Sequence, residues 1–197
     1  KFVVVDGKLT ISKREVTLTS ASDSKKYDGT ALTNHKVTVG GDGFAKDEGA
    51  TYDVTGSQTP VGSSKNTFSY TLNGNTKADN YTITTSEGTL EVTAATDEVV
   101  VTITENSGTE KYDGTEKTVT GYKVTSISNK LYKESDFTFS GNASVSGTDA
   151  GTYDMELKDS DFTNNNKNFS KVKFVVVDGK LTISKREVTL TSASDSK

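Results

Sequence analysis

Side chains able to do chemistry are few in this chain, and they are scattered. Its only histidine, His35, leaves no partner for a His-based metal site or a repeated catalytic dyad. It reads as an exposed strand residue. Asp159, Asp161 and Asn165, in the stretch KDSDFTNNNKNF, have a faint calcium-loop spacing. The sixth-position glycine and closing glutamate of an EF-hand are missing, so an Asx-rich turn is expected. Asn80, Asn142 and Asn168 head N-x-Ser/Thr triplets, which a chain this rich in Thr and Ser produces by chance. No glycine run sits between a strand and a helix, the context a phosphate cradle needs. What stands out instead is a pentapeptide that occurs twice. Lys26-Tyr27-Asp28-Gly29-Thr30 returns as Lys111-Tyr112-Asp113-Gly114-Thr115. The Asp can bond the backbone two residues on and Gly supplies a left-handed conformation, so each copy reads as a tight turn with its Tyr anchored at a core edge. The expectation is a structural protein and not an enzyme, with no catalytic, cofactor-binding or metal-binding residue.

Larger repeats position these turns. Lys1 to Lys25 recurs letter for letter as Lys173 to Lys197, a period of 172 residues (173 − 1), and identity of that extent marks a tandem array. The unit is itself double, because Tyr27 and Tyr112 stand 85 residues apart (112 − 27). The same offset aligns Tyr52 with Phe137, Val54 with Phe139, Gly56 with Gly141, Gly62 with Gly147, Thr67 with Thr152 and Phe68 with Tyr153. Further on the offset drifts, aligning Asn80-Tyr81 with Asn168-Phe169 and Gly88-Thr89-Leu90 with Gly179-Lys180-Leu181. Drift of that kind is loop insertion. The reading is a closing strand unit of a preceding repeat (1–13), a β domain A (14–94), a β domain B (95–185) and the first strand of a next repeat (186–197).

Composition agrees with small domains. Hydrophobic residues are 31% and mean hydropathy is −0.56, and a domain of about 85 residues buries only about 60–65% of its unfolded surface. There is no cysteine to staple it. A net charge of −4 and a pI near 5.1 argue against nucleic acid, which calls for a basic stripe. No apolar run approaches the ~18 residues that span a bilayer, so membrane insertion of this segment is not expected.

The elements expected are strands. Glu15 to Thr19, Lys36 to Val39, Thr51 to Thr55, Thr67 to Leu72, Tyr81 to Thr84, Thr89 to Val92 and Val99 to Ile103 alternate or carry β-branched runs between Gly and Asx turns, the pattern of an all-β sandwich or barrel. Tyr153, Met155 and Leu157 are expected to share one face of a strand equivalent to Phe68, Tyr70 and Leu72. The repeated Phe-Val-Val-Val-Asp-Gly-Lys-Leu-Thr-Ile reads either as a hairpin turning at Asp-Gly or as one long strand bulged at Gly7. Ser128 to Ser135 is the one helical candidate, with Ser128 as its cap. Ala94 to Asp97 is too short for a flexible linker, which favours an elongated array.

In order along domain B, Tyr112-Asp113-Gly114-Thr115, Asp149-Ala150-Gly151-Thr152-Tyr153, Asn168-Phe169 and Gly179-Lys180-Leu181-Thr182-Ile183 resemble the YDGT, DAGTY, NY and GTLTI landmarks of MBG-type repeats. These belong to bacterial surface proteins, many of them cell-wall-anchored adhesins of Gram-positive bacteria. In domain A, Ser64-Lys65-Asn66-Thr67-Phe68 stands where DAGTY is expected. The resemblance implies tandem Ig-like or β-grasp-like modules forming an extracellular stalk that projects a distal binding region from the cell. Its landmarks are structural: Tyr27, Asp28, Gly29, Thr30, Tyr112, Asp113, Gly114, Thr115, Tyr153 and Gly179. Stalk domains of this kind sometimes carry Lys–Asn isopeptide or Thr–Gln ester cross-links. Here Gln58 is the only glutamine and no such pair recurs in both domains. The partners expected are neighbouring repeats of the same chain. A host glycan or protein met by exposed residues such as Tyr132 and Asn164 to Asn166 is the alternative. Head-to-tail self-association through Lys1 to Ser12, an unpaired strand seeking an edge, is a third.

Overall fold

A computed structural model describes residues 1–195. The chain divides into two compact units, Lys1–Ala95 and a second from Thr96 onward. Both are all-β. Among the described residues the only helical pieces are 3₁₀ turns at Ala78–Asn80, Glu134–Asp136 and Asp159–Asp161.

The first unit contains β1 (Arg14–Ser20), β2 (Asp23–Lys26), β3 (Val37–Gly41), β4 (Ala50–Val54), β5 (Gly62–Asn66), β6 (Phe68–Leu72), β7 (Tyr81–Ser86) and β8 (Gly88–Thr93). They form sheets ordered β3-β1-β7 and β2-β8-β5, with β4 and β6 as a separate pair. The second unit repeats the plan. Its strands are β9 (Val99–Glu105), β10 (Gly108–Lys111), β11 (Lys117–Thr120), β12 (Tyr122–Ile127), β13 (Phe137–Phe139), β14 (Ser144–Gly147), β15 (Gly151–Asp154), β16 (Phe162–Asn164), β17 (Val172–Val177) and β18 (Lys180–Ser184). Here the sheets are β12-β9-β17 and β10-β18-β15, with pairs β13-β16 and β11-β14. The last pair corresponds to the single bridge Leu32–Gln58 of the first unit.

One topological feature dominates each unit. The opening segment β1–β2 starts in one sheet and crosses into another, and the closing segment β7–β8 runs beside it in parallel throughout, Arg14 opposite Tyr81 and Lys26 opposite Thr93. In the second unit β17–β18 likewise follows β9–β10, Val99 opposite Val172 and Lys111 opposite Ser184. Parallel first and last segments have a direct consequence: the chain comes into a unit at one pole and leaves it at the other.

Burial follows the pleat, with side chains alternating between faces. Val16, Leu18 and Tyr81 form the core under β1, packed by Phe44, Tyr52, Phe68 and Ile83. Leu32, Leu90 and Val92 form a second cluster against Tyr27. In the second unit Val99, Val101 and Ile103 are fully buried beneath an aromatic group. Phe162 lies 5.0 Å from Phe139, 5.2 Å from Tyr122 and 5.5 Å from Phe174 between ring centroids.

Several expectations are corrected. Asp178-Gly179 does not turn a hairpin, because β17 and β18 pair with β9 and β10 in different sheets and not with each other. The long interrupted strand is the better description. Ser128 to Ser135 forms no helix. The Ser128 hydroxyl accepts from the Val100 N–H at 2.8 Å instead of capping, and only Glu134–Asp136 coils. The 85-residue offset holds from Tyr27 to Gly56 and then fails. The ladders place Gly62 opposite Val92 and Gly151 opposite Ile183, so Gly151 is the counterpart of Gly62 and Tyr153 that of Ser64. β6 pairs with β4 as β16 does with β13, so the counterpart of Phe68 is Phe162. The strand through Tyr153 stops at Asp154, since Glu156 takes φ of 61°, although Met155 and Leu157 do turn inward. Tyr81 corresponds in register to Val172, not Phe169.

The duplicated segment shows what tertiary context decides. Phe174, Leu181 and Ile183 are 7, 0 and 2% exposed, whereas the identical Phe2, Leu9 and Ile11 are 101, 88 and 87% exposed in a segment without strand structure. Conversely Arg14–Ser20 forms β1, while the same letters at 186–192 form none. Each half of the repeat becomes a strand only where ladder partners surround it.

Candidate functional site

The two YDGT turns are built alike. The Asp28 carboxylate accepts from the Thr30 N–H at 2.9 Å and the Thr30 hydroxyl at 2.7 Å. Asp113 does the same with Thr115, at 2.9 and 2.6 Å. Gly29 and Gly114 sit at φ of 81° and 84°, the left-handed region glycine enters without steric cost. Each carboxylate also holds a lysine, Lys25 at 2.8 Å or Lys117 at 2.7 Å. One lysine precedes its turn and the other follows it, so the ion pair persists while its donor moves along the sequence. That lysine first, and then the threonine, holds each carboxyl well below the usual aspartate range. The Tyr27 and Tyr112 N–H groups donate to Thr93 and Ser184, the ends of β8 and β18. The motif therefore pins the closing strand of its own unit.

Tyr153 lies over Gly147, where an added Cβ would stand 2.4 Å from its ring, and its hydroxyl donates to the Asp149 carbonyl at 2.9 Å. Gly179 answers a different demand. A Cβ there would lie 2.4 Å from the Asn106 carbonyl oxygen, so the position requires glycine for close backbone approach, not for a turn.

Beside Gly179 is a group that sequence reasoning missed. Glu105 is 3% exposed, and its two oxygens accept from the Leu157 and Gly179 N–H groups, each at 2.6 Å. Ser20 is its counterpart in the first unit. The Ser20 hydroxyl accepts from the Gly88 N–H at 3.0 Å and donates to the Asn66 carbonyl at 2.6 Å. Both latches sit where the opening and closing segments change sheets. The signal was present in the phase Val99, Val101, Ile103, Glu105, which places the acid on the buried face of β9.

Tyr132 is not exposed as expected, and Asn164 is half-buried. Tyr132 is 1% exposed, packs edge-on to Phe169 at 5.4 Å and donates to Asn164 at 2.9 Å. Burial, and then the Asp136 charge, push its phenol up to about 12. His35 is exposed in the loop before β3 and contacts the Val54 carbonyl at 3.1 Å. Asp159 and Asp161 spend their carboxylates on the N–H groups of Ser160 and Lys158. Among the described residues no cluster of three His, Asp or Glu side chains has the arrangement to hold a metal ion. A cleft in the first unit is lined by Arg14, Glu48, Asp79 and Tyr81. Its polar groups serve the loop above it: Arg14 donates to the Gly43 carbonyl at 3.0 Å, and the Tyr81 hydroxyl accepts from the Ala45 N–H at 3.0 Å. That hydroxyl donates to Glu48, whose carboxylate raises the Tyr81 phenol above its ordinary value.

The paired turns, latches and crossing strands thus define a class, the all-β repeat whose signature residues maintain its own fold. Residues 99–185, within the second unit, match the family model of the MBG domain, which is consistent with an MBG-type β-rich repeat there. Comparison with curated proteins and with solved structures returns no match.

Proposed function

We propose that these units are structural repeats of a bacterial cell-surface protein, extracellular spacers that hold a distal binding region away from the cell. The observation that carries this reading is the parallel course of the first and last segments of each unit. A domain crossed from pole to pole adds its own length to an array, whereas one whose ends meet adds little. The short stretch from the end of β8 at Thr93 to the start of β9 at Val99 leaves little slack. The turns and latches support the same reading, because their polar side chains act within the unit.

Small-angle scattering on arrays of two, four and six units tests it. The maximum dimension should grow nearly in proportion to the number of units. A dimension that levels off after two units contradicts a spacing role. Host-surface attachment of such arrays in the absence of a tip domain would point to an adhesive module instead.

A further inference from the structure

The strands through which the chain enters and leaves each unit are paired on both sides. In the second unit the entry strand β9 lies between β12 and β17, and the exit strand β18 lies between β10 and β15. The first unit is alike, with β1 between β3 and β7, and β8 between β2 and β5. Entry and exit segments also hold each other. Their parallel ladder runs through six pairs from Val99–Val172 to Thr104–Val177 and resumes through four from Gly108–Leu181 to Lys111–Ser184. Backbone bonds close its two ends, from the Val99 N–H to the Lys171 carbonyl at 3.0 Å and from the Tyr112 N–H to the Ser184 carbonyl at 2.9 Å. Side chains span the break where the segments change sheets. There the Gly179 N–H donates to Glu105 at 2.6 Å and the Lys180 N–H to the Ser107 hydroxyl at 3.1 Å. In the first unit the Gly88 and Thr89 N–H groups donate to the Ser20 and Ser22 hydroxyls, each at 3.0 Å.

The direction of pull decides how such a ladder yields. Because the paired segments run parallel, tension between Val99 and Ser184 draws the start of one and the end of the other apart along the strand axes. One segment must then slide past its neighbour, which stretches every rung together. Hydrogen bonds near 2.9 Å are lost well before the slide reaches one residue's rise of about 3.3 Å, so the rungs fail within one short displacement. A pull on both starts, Val99 and Val172, instead loads the first rung alone and then the next. We propose that each unit resists tension, its entry and exit segments and the latch between them yielding together as one ladder loaded in shear. This goes beyond a spacing role, since a unit can add length without withstanding a pull, and the scattering and pulling tests fail independently.

The test pulls the second unit of the full chain in two directions. The chain has no cysteine, and Glu98, Lys171 and Lys185 are exposed, so thiol-linked DNA handles can be placed on Glu98→Cys with Lys185→Cys, or on Glu98→Cys with Lys171→Cys. The first pair pulls from opposite poles and the second from one pole, peeling β17 from β9. Thermal unfolding should be the same for both variants, which removes stability as the cause of any difference in force. In optical tweezers at one loading rate, the opposite-pole pair should unfold at a force at least about threefold higher, because the whole ladder shares the load in one direction and a single rung carries it in the other. Adding Glu105→Gln should lower the opposite-pole force and leave the peeling force unchanged, since peeling starts at Val99 before the latch is loaded. Equal forces in the two directions, or a Glu105→Gln loss shared equally by both, would overturn the proposal.

Discussion

Glu105→Ala isolates the buried latch of the second unit. In the native unit the carboxylate receives two backbone N–H groups at 2.6 Å each, from Leu157 and Gly179, and is 3% exposed. Truncation leaves both donors buried and unpaired at a cost of about 1–3 kcal/mol apiece. The expected loss is therefore about 3–5 kcal/mol, a large share of the stability of a small domain. Glu105→Gln keeps one acceptor and sets its amide donors against the other N–H, so it should lose about half as much. Hydrogen exchange under increasing urea reads the two units separately, through peptides covering Val172 to Ser184 and Tyr81 to Thr93. With a urea slope near 1–1.5 kcal/mol/M for a domain of this size, the second unit's midpoint should fall by about 3 M while the first unit's stays put. Ser20→Ala is the counterpart, and it should cost the first unit about 1–3 kcal/mol through the loss of its bonds to the Gly88 N–H and the Asn66 carbonyl. A Glu105→Ala loss below about 1 kcal/mol would refute the claim that this latch holds the closing strand.

Three further outcomes follow from the same geometry. Gly179→Ala should destabilise the second unit by roughly 1–3 kcal/mol through overpacking against Asn106, and Gly7→Ala, the identical residue in the exposed copy, should leave thermal unfolding unchanged. Tyr132 should ionise near 12. A phenol whose folded value is raised stabilises fully below its unfolded value and loses that contribution as pH climbs through the folded one, so the second unit should weaken between about pH 10 and 12 by roughly 2–3 kcal/mol, visible in absorbance and dichroism together. Tyr132→Phe should lack that step. Carbon-detected NMR titration of Asp28 and Asp113 should place both midpoints below the ordinary aspartate range. Being depressed, their contribution is complete above the unfolded value and disappears only as pH falls through the lowered midpoints. Lys117→Ala should raise the Asp113 midpoint and leave that of Asp28 alone.

How much of this was legible in the residues divides along physical lines. Strands with a dry face, such as Val99 to Ile103 and Leu90 to Val92, announce themselves because burial imposes the period of two. The YDGT turn was equally plain, since Asp and Gly carry its geometry locally. The Asp-Gly at 178–179 misled for the same reason. A turn dipeptide looks alike whether the chain reverses or, as here, passes straight on while another backbone crowds the glycine. Counterparts beyond Gly56 were misassigned because loop changes after β4 and again before β16 break the constant offset, and only hydrogen-bond ladders show which residue faces which. Tyr132 sits in a segment without periodicity, so nothing in its neighbours signalled that Asn164 and Phe169 would enclose it. The duplicated ends are the limiting case. Residues 2–12 and 174–184 are the same letters, and no local rule can assign them different structures.

A pole-to-pole course within each unit underlies the spacing role, and a single distance tests it. Spin labels replacing the exposed Glu98 and Lys185 flank the second unit's first and last strand residues, Val99 and Ser184. β9 and β10 with their two-residue crossover extend for at most about 40 Å at 3.3 Å per residue, and Ser184 lies beside the far end, Lys111. Double electron–electron resonance should therefore give a single population at about 30–40 Å, and a dominant distance under about 15 Å would show that the chain leaves the unit where it came in.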